Sequence, residues 1–155
     1  MSITILRTPD AWWVRTPGGA ARIDTDATTT GELLAEPAKI EAARASKETV
    51  DAATLDLVSP VTAPCRVVAQ MTNFASHVKD SGLNPETIPL TFFRKTSGSI
   101  SGPFDDVIRP GHVRCLDYEV EIGLVIGREM SVGTAVTADN WASFVAGLVV
   151  TNDVS

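Results

Sequence analysis

"LDYEVEIGLVIG", residues 116–127, alternates polar and apolar residues along most of its length. A period of two is the signature of a strand, and here it puts Val120, Ile122, Leu124 and Ile126 on one face. Glu119, Glu121, Gly123 and Val125 fall on the other, so two carboxylates point the same way. Roughly 5 to 7 Å apart, two such charges repel by about 2 to 4 kcal/mol at an effective dielectric near 20. Bulk water on the outer face of an amphipathic strand can offset that repulsion; so can a hard cation. The strand alone leaves both readings open.

Outward from this strand the chain is rich in short strands and turns. Ile3 to Leu6, Trp12 to Arg15 and Ala20 to Ile23 are separated by "TPD" and "TPGG", which predicts a small β-meander. Helix formers follow in "DATTTGELLAE" and "EPAKIEAARASKETV", with Thr29 or Thr30 as cap and Pro37 at a helix start. Their thin apolar faces predict short, peripheral helices. The two prolines of "LVSPVTAPC" mark a connector, dividing the chain into a small N-terminal region, 1–58, and a second unit, 59–155. In that unit "CRVVAQMT" and "LTFFRK" read as strands around a helical turn, "NFASHVKDSG", capped by Asn73 and stopped by Gly82. "TSGSISGPFDD" is a loop, "VIRPG" a further strand and turn, "TADNWASF" a helix start with Thr137 as cap, and "AGLVVTNDVS" a last strand. This is a β-dominated α+β fold. An apolar strand ending at Ser155 presents a pairing edge, so the chain is expected to continue or to be completed by a second chain.

Composition narrows the function. Of the 155 residues 44% are hydrophobic and 21% charged, as in a globular protein. Thirteen Lys and Arg against 19 Asp and Glu give a net charge of −6, which repels a phosphate backbone and argues against nucleic acid as a partner. The N-terminus lacks a basic region followed by a long apolar one, and no apolar run approaches membrane-spanning length, so a cytoplasmic protein without membrane partners is expected. Cys65 and Cys115 have neither zinc-binding nor disulfide-framework spacing and read as buried thiols. Trp12, Trp13 and Trp141 read as core or interface residues and His112 as a surface residue.

Five segments, "NFASHVKD", "FFRK", "SGPFDDVIRP", "LDYEVEIGLVIGR" and "VAGLVVTNDVS", occur in this order over residues 60–155. In combination they resemble the catalytic domain of the fumarylacetoacetate hydrolase family. The resemblance implies a mixed β-roll, a homodimer and a divalent metal held by Glu119, Glu121 and Asp153. An all-oxygen donor set suits Mg²⁺ first, with Mn²⁺ or Ca²⁺ as alternatives, and leaves positions for water and substrate. Gly123 is expected to leave room on the same face. The resemblance also assigns His77, with Asp80 as its acidic partner, as the base that activates water, and Lys95 as a group stabilising a developing oxyanion. The family pattern N-Y-x-x-H-x-x-E stands here as N-F-A-S-H-V-K-D. Asn152, preceding Asp153, is a candidate supporting group. The implied activity is hydrolysis of a carbon–carbon bond in an acylpyruvate-like 1,3-dicarbonyl acid. Isomerisation of hydroxymuconate-type dioates, 2-oxo-acid decarboxylation and a non-catalytic, incomplete metal-binding module are the alternatives.

Overall fold

The computed structural model describes residues 2–155. It begins with the expected meander: β1 (Ile5–Thr8), β2 (Ala11–Thr16) and β3 (Gly19–Arg22) form a three-stranded antiparallel sheet in that order. β1 starts two residues later than the sequence pattern predicts. Its last residue, the buried Thr8, donates its hydroxyl to Asp10 Oδ1 at 2.9 Å and accepts the Trp13 indole N–H at 3.1 Å, which fixes the first turn. Trp12 and Val14 point from β2 into the core, and the Trp12 indole N–H is satisfied by the Ala27 carbonyl at 2.7 Å.

Two helices close this core. α1 (Thr30–Leu34) is capped by Thr29, whose hydroxyl accepts from Glu32 N while the Glu32 carboxylate accepts from Thr29 N. α2 (Pro37–Arg44) starts on its proline and packs on β2 and β3. The helices are short, as expected, but not peripheral. Leu33, Ile40 and Ala43 complete the cluster formed by Trp12, Val14, Ala21 and Ile23. A thin apolar stripe suffices because the sheet beneath presents the small Ala21 beside Val14 and the large Trp12 indole, so a small helix can approach closely. Ala20 and Val50 then exchange backbone hydrogen bonds of 2.9 Å each. Gly19, at φ +136°, makes this approach possible, since a Cβ there would lie 2.2 Å from the Val50 carbonyl oxygen.

The expected connector is laid against the N-terminal region. Val58 N donates to Arg7 O at 2.9 Å, the Arg7 guanidinium to Ser59 O at 3.2 Å, and the Thr30 hydroxyl to Pro60 O at 2.7 Å. Beyond it stand two antiparallel ribbons. β4 (Val67–Gln70) pairs with β5 (Phe92–Lys95), and β6 (Val120–Ile126) pairs with β7 (Val145–Asn152). Among the described residues every strand pairing is antiparallel, in three separate sheets.

Several local expectations need correction here. α3 (Ala75–Asp80) begins after Phe74 with no side-chain cap, because the Asn73 amide is engaged elsewhere. It donates to Thr91 O and accepts from Thr91 N, both at 2.9 Å, clamping the end of the β4–β5 ribbon. Gly82, at φ +75°, does end the turn. "VIRPG" forms no strand: Val113 N turns back to Pro110 O at 3.0 Å, and proline cannot donate to a ladder. Residues Trp141–Phe144 form a 3-10 turn rather than an α-helix begun at Thr137, because the Asn140 side chain accepts from Thr137 N at 2.8 Å and holds the segment as a loop. Cys115 is exposed and Cys65 half-buried, so neither is a fully buried thiol. Trp12 is buried, Trp13 half-buried and Trp141 exposed, while His112 is on the surface as expected.

Candidate metal and substrate site

The ladder between β6 and β7 decides where the acidic residues lie. Val120 is opposite Asn152 and Glu121 opposite Thr151. Backbone pairing continues past the strand ends: Asp153 N donates to Glu119 O at 2.8 Å, and Asp117 N to Ser155 O at 2.7 Å. Directly opposed residues of an antiparallel pair share a face, so Asp153 joins Glu119, and Glu121 joins both by alternation. Three carboxylates separated by up to 34 positions in sequence thus emerge on one face at one end of the ribbon.

Their side chains have different immediate partners. Asp153 Oδ1 accepts from the Lys95 ammonium; the side chains of this pair are only 13% and 26% exposed. Glu119 accepts from the Ser155 hydroxyl at 3.4 Å, and its backbone N–H donates to Asn152 Oδ1 at 3.1 Å. Among the described residues no three His, Cys, Asp or Glu side chains are gathered as a cation site. The donor chemistry and the shared face nevertheless fit a hard cation, and Lys95 supplies the positive charge beside Asp153 in this structure. Asn152 holds the Glu119 backbone, which makes it a positioning group. Ser155 was not singled out from the sequence, although the register that opposes it to Asp117 follows directly from aligning Glu119 with Asp153.

Lys95 reaches this site from the other ribbon. It closes β5 opposite Val67, with its ammonium 5.4 Å from the Phe93 ring centroid, so the two ribbons meet through the Lys95–Asp153 pair. Gly123 does not leave the expected free space. A Cβ there would lie 2.8 Å from Val149 Cγ2, so the cross-strand valine already fills that position. His77 and Asp80 sit three residues apart on α3, both exposed, and no hydrogen bond or ion pair joins them among the described residues. The "SGSISGPFDD" loop folds on itself, with Gly102 N donating to Asp105 Oδ2. Between this loop and the N-terminal region lies a cavity of about 290 Å³ lined by Arg7, Ser59, Gly102 and Asp105, apart from the carboxylate face.

Residues 66–155 match the family described as fumarylacetoacetate (FAA) hydrolase C-terminal. The chain belongs to the fumarylacetoacetate hydrolase family. Its members generally use divalent metals. A mitochondrial oxaloacetate tautomerase from Rattus norvegicus, Fahd2a, is 36% identical over 98 residues, 63% of this chain and 30% of that protein. A 2,4-didehydro-3-deoxy-L-rhamnonate hydrolase from a Sphingomonas species is 38% identical over 123 residues, 75% of this chain and 41% of that protein. Among solved structures, a Mycobacterium abscessus protein described as "a probable 2-hydroxyhepta-2,4-diene-1,7-dioate isomerase" superposes with a TM-score of 0.74 at 28% identity. That match takes in 99% of this chain and 52% of the neighbour. The chain therefore spans about 30 to 41% of these curated relatives and about half of this solved family member. No described helix is long and apolar enough to cross a membrane.

Proposed function

We propose that this chain carries the metal-binding part of an enzyme that cleaves a carbon–carbon bond by hydrolysis in an acylpyruvate-like 1,3-dicarbonyl acid. The observation that supports it is the shared face of Glu119, Glu121 and Asp153 with Lys95 against it. Glu119, Glu121 and Asp153 would hold the cation, Mg²⁺ in preference to Mn²⁺ or Ca²⁺, and the bound cation would supply Lewis-acid polarisation of the 2-oxo group. The Lys95 ammonium donates a hydrogen bond to the oxygen on which negative charge develops. His77 would take a proton from water, with Asp80, which makes no hydrogen bond to it in this structure, brought into contact as the group that orients it, and the resulting hydroxide would add to the distal carbonyl. The carbon–carbon bond then breaks, its electron pair leaves with the 2-oxo fragment, and that fragment is protonated. The Sphingomonas relative supports this reading, since its named substrate carries two oxo groups in a 2,4 relationship. The fold completing this site would be a mixed β-roll, working as a homodimer in the cytoplasm.

A second reading is isomerisation or tautomerisation of a 2-oxo acid, which needs proton movement but no attacking water. It is favoured by the exposed His77, which makes no hydrogen bond or ion pair with Asp80, and by the tautomerase and isomerase names among the relatives. Product analysis on a panel of 2-oxo and 2,4-dioxo acids separates them. Hydrolysis releases two fragments and requires His77, so His77→Ala abolishes turnover while Mn²⁺ binding by calorimetry is retained. Full fragment release by that variant would remove the water-activating role, and a single isomerised product would replace the first reading by the second.

A further inference from the structure

The outer face of the N-terminal sheet carries a hollow that the carboxylate chemistry does not use. Trp12 and Val14 face the core, so Trp13 faces outward by alternation, and the ladder sets it directly opposite Arg22. Beyond α2 the chain returns as a strap, residues 46–50, joined to the sheet where Ala20 and Val50 exchange backbone hydrogen bonds. Sheet and strap border a hollow of about 510 Å³, with Trp13, Ala20 and Val50 as its apolar lining and Arg22, Lys47 and Glu48 as its charged lining. The strap is fixed by its own hydrogen bonds: the Thr49 hydroxyl donates to Gly18 O at 3.0 Å, and the Ser46 hydroxyl accepts from Glu48 N at 3.1 Å. A site prepared in this way loses little conformational freedom when a ligand binds.

We propose that this hollow binds a planar organic carboxylate. Its volume lies within the roughly 300 to 1,000 Å³ of small-molecule sites. The Trp13 indole N–H is already satisfied by the Thr8 hydroxyl at 3.1 Å, and among the described residues no cation lies over its ring. A half-buried aromatic surface is thus left to receive a flat apolar body. Arg22 and Lys47 are exposed and enter no ion pair among the described residues. Together they outweigh the one carboxylate of Glu48, so the hollow is locally positive in a chain whose net charge is −6. A guanidinium fork meets a carboxylate through two parallel N–H···O bonds, a match that a neutral amide of the same shape does not offer. The hollow lies outside the family-matched residues 66–155, and the proposal does not depend on the reaction proposed above.

The test titrates the 155-residue chain with 2-naphthoate and follows amide and indole N–H signals by NMR. The expected result is saturable binding that shifts the Trp13 indole, Arg22 and Lys47–Val50 signals and leaves the buried Trp12 indole and Val120–Ile126 in place. Neutral 2-naphthamide lacks the charge and acetate lacks the flat body, so each should bind at least tenfold more weakly. Arg22→Gln combined with Lys47→Gln should weaken 2-naphthoate binding at least tenfold. Both side chains are exposed, and an unchanged Trp12 indole signal shows that the fold persists in this variant. Should the pair fail to fold, Lys47→Gln alone replaces it, with binding weakened at least threefold. Absence of saturable binding, shifts centred elsewhere, or equal binding of 2-naphthamide would overturn the proposal. So would undiminished 2-naphthoate binding by the folded variant.

Discussion

The two parts of this molecule are built on opposite principles. The described residues 2–58 hold seven buried apolar side chains in one cluster, from Trp12 and Val14 to Ile40 and Ala43, sealed by three strands and two helices. In the part beyond residue 65, the buried apolar residues are Val78 and Phe144, while Val120, Ile122 and Val150 stand in solvent. The first part encloses a core of its own. The second holds the three aligned carboxylates and leaves the apolar face of the β6–β7 ribbon exposed. The contrast shows that strand register alone, through the opposition of Glu119 and Asp153, can align three carboxylates on one face without a core packed around them.

If the parts are independent in this way, a core deletion should act on one only. Leu33→Ala removes a fully buried side chain and should cost about 2 to 5 kcal/mol in the N-terminal part, read by Trp12 fluorescence during denaturant unfolding. Exchange across Val120–Ile126 should not change; matching acceleration in both parts would break the comparison. Asp153→Ala has the converse profile. Mn²⁺ affinity, measured by calorimetry, should fall by about 100-fold or more, with tryptophan fluorescence unmoved. An equal affinity would remove Asp153 from the ligand set.

Smaller effects sharpen the contrast. Gly123→Ala places a methyl against Val149 Cγ2 and should destabilise the β6–β7 ladder by about 1 to 3 kcal/mol, visible as faster exchange of its amides. Thr29→Ala removes the α1 cap and should cost about 1 kcal/mol, confined to the N-terminal part. The least effect concerns pH. The Glu32 carboxylate is held below its ordinary 4.5 chiefly by the Thr28 backbone N–H, and Glu36 chiefly by the Thr25 hydroxyl, then by Lys39. A lowered folded-state value adds stability above pH 4.5 that is lost as pH falls through it. Acid melting curves of Glu32→Gln should therefore be flatter below pH 4.5 than those of the parent.

The residues explain how much of this was readable in advance. The meander was legible because "TPD" and "TPGG" admit little but turns, and β6 because its alternation is nearly unbroken. The carboxylate face was accessible through the family pattern, and one ladder register then places Glu119, Glu121 and Asp153 together. What alternation cannot reveal is which face is covered: the apolar face of β6 is open, and the face bearing Glu121 and Val125 is the half-buried one. Helix amphipathicity likewise understated α2, because the closeness of packing depends on Ala21 in a different element. Asn73 looked like a cap since asparagine commonly is one; its partner Thr91 lies 18 positions away and left no local signal. The exposed histidine on α3 has the sequence spacing for a dyad without the contact, since an i, i+3 separation permits a meeting but does not enforce it.

The Asn73–Thr91 clamp has a mechanical corollary. By imitating a further rung of backbone pairing, one amide fastens both strands where they diverge, so the excursion between them is mechanically insulated from Lys95. An insertion or deletion between Ser81 and Leu90 should therefore leave the reach of the lysine toward Asp153 unaltered.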